Sequence, residues 1–158
     1  MRLFQVLTVI ALLAGCSGTG GPKVDTEQVY QDHLALGAAY MRAGEYQRAK
    51  TNLNRAQELR PRSAEVHGLF GLLFQLEGES VLAEDHFRSA LRYDPDATRT
   101  RNNFGAFLFD EGRYAEAVEH LEIAAADIYY PGRPQVFENL GVSYLHLDRS
   151  DEARQAFE

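Results

Sequence analysis

From residue 30 onward, apolar side chains recur at intervals of three and four, as in Leu53, Ala56 and Leu59. That interval returns a side chain to one face of an α-helix, so it predicts a series of amphipathic helices. No stretch alternates apolar and polar residues as a half-buried strand does. The periodic runs are punctuated. Gly44, Gly78 and Gly112 fall where one run pauses, and glycine tolerates the left-handed conformation that stops a helix. Pro61 and Pro95 close the runs that follow, because proline disfavours helix in the residue before it.

The punctuation itself repeats. Gly37, Gly71 and Gly105 lie 34 residues apart, and Gly141 follows after 36. Ala49, Ala83, Ala117 and Ala153 keep the same intervals, as do Leu53, Phe87, Leu121 and Phe157. These columns resemble the tetratricopeptide repeat (TPR) signature, W-x2-L-G-x2-Y, then A-x3-F, then P. The repeats fall at 30–63, 64–97, 98–133 and a shorter 134–158. The resemblance implies an all-α fold over 29–158, a right-handed superhelical solenoid of antiparallel helix pairs. Small residues such as Gly37 and Ala49 would let the two helices of a pair cross closely. The Trp of the signature is replaced by His33, His67, Arg101 and Phe137, so that corner is expected to pack differently. One pair cannot bury its apolar face alone, so neighbours stack. The fourth repeat stops inside its second helix. The natural chain is therefore expected to continue, the alternative being a short protein with a fraying last helix.

The first residues read differently. Met1-Arg2 precedes a run from Leu3 to Leu13 interrupted only by Gln5 and Thr8. The run is too short to span a bilayer and leads into small residues, as in a secretory signal over 1–15. Leu13-Ala14-Gly15-Cys16 resembles the lipobox of bacterial lipoproteins. That resemblance implies cleavage before Cys16 and acylation of it, and Ser17 after the cysteine implies the outer membrane. The alternative is an ordinary signal peptide with a chance cysteine. Residues 16–28 would carry the lipid and a flexible tether, with Gly and Pro concentrated between Ser17 and Thr26.

Charge narrows the partners. The formal net charge is −7 and no Lys/Arg cluster appears, so neither nucleic acid nor an anionic membrane is an electrostatic partner. A single cysteine forms no internal disulfide and no CxxC metal site. No nucleophile elbow, phosphate loop or HExxH motif appears, so no enzyme activity, small-molecule substrate, metal or cofactor is expected beyond the covalent lipid on Cys16. His33 and His67 share one repeat column, and His86 and His120 another. A two-His site between stacked repeats is conceivable, but no carboxylate recurs with them and packing roles are favoured. Asp94-Pro95-Asp96 reads as a turn.

In TPR arrays the first helix of each repeat lines a concave face. By that resemblance the lining includes Leu34, Met41, Leu69, Leu72, Leu76, Arg99, Asn102, Asn103, Phe109, Glu138, Asn139, Val142 and Leu145. Leu69, Leu72, Leu76, Phe109, Val142 and Leu145 would form an apolar strip fit for an amphipathic helix. The alternative is that these side chains pack between repeats. Arg99 with the asparagines invites a carboxylate clamp, but the Lys partners of such clamps are missing.

A closer resemblance rests on Asn102-Asn103-Phe104-Gly105-Ala106-Phe107-Leu108 and on Tyr129-Tyr130-Pro131 followed by Val136-Phe137-Glu138-Asn139-Leu140-Gly141. With the lipobox, these segments resemble the PilF/PilW family of type IV pilus biogenesis lipoproteins. The family implies a pilotin: a non-catalytic, periplasm-facing lipoprotein that binds the pilus secretin and promotes its outer-membrane localisation and multimerisation. The alternative is another envelope TPR adaptor that recruits cell-wall or outer-membrane assembly factors.

Overall fold

The computed structural model describes residues 25–158. The signal segment, Cys16 and most of the expected tether lie outside the described residues. Eight α-helices follow one another, and no strand occurs among the described residues. They are α1 (Thr26–Arg42), α2 (Tyr46–Leu59), α3 (Ala64–Leu76), α4 (Ser80–Tyr93), α5 (Thr98–Asp110), α6 (Tyr114–Ala125), α7 (Arg133–His146) and α8 (Ser150–Phe157). Helix α1 starts at Thr26, inside the stretch assigned above to the tether. Asp25 caps it, its carboxylate accepting from the Glu27 N–H at 2.9 Å.

Each odd helix pairs with the even helix after it. Gly44, Gly78 and Gly112 have φ of 72°, 78° and 74° and close α1, α3 and α5 as expected. The fourth pair has no glycine there: Asp148 occupies the left-handed conformation at φ 58°. Inside each pair the helices meet where the column of glycines faces the column of large apolar residues. A β-carbon on Gly37 would lie 2.7 Å from Leu53, on Gly71 2.7 Å from Phe87, and on Gly105 2.6 Å from Leu121. Leu53, Phe87 and Leu121 are fully buried, as are Ala49, Ala83 and Ala117 beside them.

Stacking defines two walls. Helix α1 packs on α3, α3 on α5 and α5 on α7, whereas the backbones of α2, α4 and α6 do not approach one another closely. The odd helices therefore form the inner wall of a solenoid and the even helices its outer layer. Phe87, Phe104 and Phe107 carry the core from the second repeat into the third, with Phe87 5.4 Å from Phe104 between ring centres.

The corner without Trp is filled by cross-hairpin pairs of residues 19 apart. His33 Nδ1 meets Asn52 Oδ1 at 3.1 Å, His67 Nδ1 meets His86 Nδ1 at 3.1 Å, and Arg101 approaches His120 Nδ1 at 3.5 Å. The histidines thus pair across a hairpin and not along the stack, which removes the inter-repeat two-His site. Among the described residues no group of three or more His, Cys, Asp or Glu could hold a metal ion. Likewise, no described helix is long and apolar enough to cross a membrane.

Candidate partner-binding groove

The inner wall carries a cleft of about 460 Å³ over the first three repeats. Small residues make up part of its lining: Ala35 and Ala38 of α1, Ala64 and Gly68 of α3, and Ala97 before α5. Leu34, Leu69 and Leu72 give it an apolar lining; Gln31, Glu65, Asp94, Arg99 and Asn103 give it a polar rim. Gly68 is required by the next repeat, because a β-carbon there would lie 2.9 Å from the Thr100 hydroxyl.

Leu34, Leu69, Leu72, Arg99 and Asn103 therefore meet in one concavity. Leu34 reaches it from the core side, being only 4% exposed. Leu69 and Leu72 are half-buried and lean on the core.

The remaining candidates stand elsewhere. Met41 is a core residue, 8% exposed, and offers nothing to a partner. It lies close to the end of α1 and belongs to the core cluster. Asn102 is buried and accepts from the Asn139 amide at 3.2 Å. Asn139 in turn accepts from Gln135 at 3.1 Å. These amides tie α5 to α7, so two of the three asparagines of a carboxylate clamp are committed to each other. Phe109 is partly covered by the molecule's own rings: Tyr114 and His146 each lie 5.2 Å from it, on one side, stacked on each other at 4.3 Å. This three-ring cluster interrupts the expected apolar strip. Leu76 and Leu145 remain half exposed, Val142 is half-buried, and Glu138 is exposed. All four lie outside the cleft.

A family profile described as Tetratricopeptide repeat matches residues 34–98, 78–134 and 108–158. The chain belongs to the tetratricopeptide repeat family. Within that family it is PilF/PilW-like. It is 38% identical over 163 residues to the type IV pilus assembly protein PilF of Pseudomonas aeruginosa, covering 100% of this chain and 65% of that protein. A solved structure of Pseudomonas aeruginosa PilF superposes with a TM-score of 0.81 at 36% identity, over 84% of this chain and 60% of that one. The structure of PilW, described as a widely conserved type IV pilus biogenesis factor, superposes with a TM-score of 0.76 at 26% identity, over 82% and 59%. The chain thus spans a little under two thirds of the relatives it matches.

Two features of the groove were not legible in the sequence. Ala35, Ala38 and Gly68 fall at expected lining positions, but Ala64 and Ala97, at the starts of α3 and α5, join them only in the fold. The Tyr114 and His146 contribution to Phe109 was equally hidden, because Tyr114 starts a second helix that was not expected to face the groove.

Proposed function

We propose that this protein is a non-catalytic scaffold in type IV pilus biogenesis, anchored to the outer membrane through a lipid on Cys16. Its groove holds a segment of the pilus secretin and so promotes secretin localisation and multimerisation. The similarity to PilF and PilW supports the pilus context. The observation that carries a scaffold role is the open cleft between α1, α3 and α5, whose lining joins Leu34, Leu69 and Leu72 to Glu65, Arg99 and Asn103. That arrangement suits an amphipathic segment: the apolar face meets Leu69 and Leu72, and its polar edges meet Arg99, Glu65 and Asn103. Nothing in such a role requires a bond to be made or broken.

Deleting the gene tests the proposal. Loss of surface pili and of heat-resistant secretin multimers is expected, with restoration by the complete gene. Normal twitching motility together with an altered cell wall would instead point to an adaptor for other envelope factors.

A further inference from the structure

Helices alternate in direction, so every turn from an even helix into an odd one lies on the same edge of the solenoid as the start of α1. Direct contacts bind that edge together. Arg60 of the first such turn pairs with Glu27 of α1, and the Ser63 hydroxyl meets the Tyr30 hydroxyl at 2.6 Å. Thr98 at the start of α5 donates to Asp127 of the third turn at 2.7 Å.

The three turns are not alike. The first reads Arg60-Pro61-Arg62-Ser63 and the second Asp94-Pro95-Asp96-Ala97, both polar at the tip. The third, which contains the two extra residues, presents Ile128 at 66% exposure and Tyr129 at 88%. It is a well-bonded turn. Asp127 accepts from the Tyr129 N–H at 3.0 Å as well as from Thr98, and Arg133 donates to the Ala125 carbonyl at 3.0 Å. The fold thus holds two adjacent apolar side chains out into solvent, where core packing gains nothing from them.

The length of chain leading into this edge says what covers them. Eight residues separate Cys16 from Asp25, and the nine steps between them reach at most about 30 Å when fully extended. A lipid on Cys16 therefore keeps the start of α1, and the edge it belongs to, near the bilayer surface. Arginines Arg60, Arg62 and Arg92 share the edge with Asp94, Asp96 and Asp127, so their charges offset one another. Free affinity for lipid would then be small. The tether makes contact an intramolecular event, in which a weak apolar anchor suffices. A tyrosine ring, apolar in body and polar at its tip, suits the headgroup boundary.

We infer that the solenoid rests on the bilayer by this edge, with Ile128 and Tyr129 entering the headgroup region. The inference depends on the Cys16 anchor of the proposed function. In this pose the helices stand on the membrane and the cleft opens sideways, unobstructed by lipid.

The chain has no tryptophan, so single substitutions report their surroundings cleanly. The full-length lipidated protein would carry Tyr129→Trp or, on the opposite edge, Val81→Trp, a site 77% exposed near the start of α4. Each is bound to vesicles of phosphatidylethanolamine and phosphatidylglycerol containing brominated phospholipid. The expected result is a shift of Tyr129→Trp emission to shorter wavelength and loss of most of its intensity, with Val81→Trp unchanged. Protein that sediments with vesicles while Tyr129→Trp stays unquenched overturns the docked edge and leaves the anchor standing; Ile128 and Tyr129 would then belong to a protein contact. Protein that fails to sediment overturns the anchor and the docking together.

Discussion

The His67 imidazole meets the His86 imidazole across the α3–α4 hairpin with their Nδ1 atoms 3.1 Å apart. Only one of the two can donate. His67 gives its Nε2–H to the Pro61 carbonyl at 3.3 Å, so its Nδ1 accepts and His86 supplies the proton. Both rings are neutral in this arrangement, and Phe70, Phe74 and Tyr93 pack around them. Burial lowers His67 below the ordinary histidine value. It pushes His86 down to about 4, with the nearby His67 adding to the effect and Asp85 opposing it.

This pair makes stability depend on acid. An unfolded histidine titrates near 6.5, above the folded values, so in that interval the unfolded chain binds protons that the folded pair refuses. Stability should be level above about 6.5 and fall as the pH drops from there toward 4. His120, lowered first by burial and then by Arg101, adds in the same direction. Denaturant midpoints at successive pH values would show the slope. His86→Asn should shrink it and keep neutral-pH stability, because Asn52 already serves His33 in the equivalent place. An unaltered slope in that variant would remove the pair as its source.

Gly71→Ala sets packing against propensity. Alanine favours the helix by about 1 kcal/mol. Its β-carbon, however, would lie 2.7 Å from the ring of Phe87, which is itself fully buried and cannot retreat. Overpacking of this kind costs about 1–3 kcal/mol, so a net loss of about 1 kcal/mol is expected in chemical denaturation. A stabilised variant would contradict the close helix crossing.

Asp148→Gly should do the reverse. Asp148 holds φ 58° where the other three hairpins place glycine. Relief of that left-handed conformation, less the larger entropy of an unfolded glycine, should stabilise by about 0.5 kcal/mol. A small rise in melting temperature is the readout, and a fall would mean that the aspartate side chain contributes at that turn.

Leu72→Glu should weaken binding of a secretin segment at least about tenfold, equivalent to about 1.4 kcal/mol, while circular dichroism stays helical. Leu72 lines the cleft from a half-buried position. Met41→Glu is the contrast: it puts a charge into the core and should unfold the first repeat. Equal affinities for wild type and Leu72→Glu in a titration would eliminate the cleft as the binding site.

Cys16→Ser should release the protein from the outer membrane into the periplasm, because one thiol carries the proposed anchor. Fractionation of cell envelopes measures this. A serine variant still in the outer-membrane fraction would sink the lipid assignment.

The repeat was legible because it is local. Helix period, the glycine stops at 44, 78 and 112, and the Gly71-to-Phe87 kind of pairing all act within one hairpin, and recurrence at 34 residues multiplies a weak signal. The groove was legible in part. Leu69, Leu72, Arg99 and Asn103 sit on the expected face of their helices and converge in the cleft. Met41 and Asn102 sit on the same nominal face yet are buried, because a position on a helical wheel does not record how far the neighbouring hairpin closes over it.

The sequence by itself determined helices, their pairing and their stacking order, since hydrophobic period and chain stops are properties of short segments. Only the tertiary structure decided which wall residues stay open: Phe109 meets His146, and Asn102 meets Asn139, across helix contacts between different repeats, with Tyr114 joining Phe109 from its own hairpin. Those contacts depend on the angle and depth at which whole hairpins pack, and that is set by the summed volumes of side chains far apart in the chain.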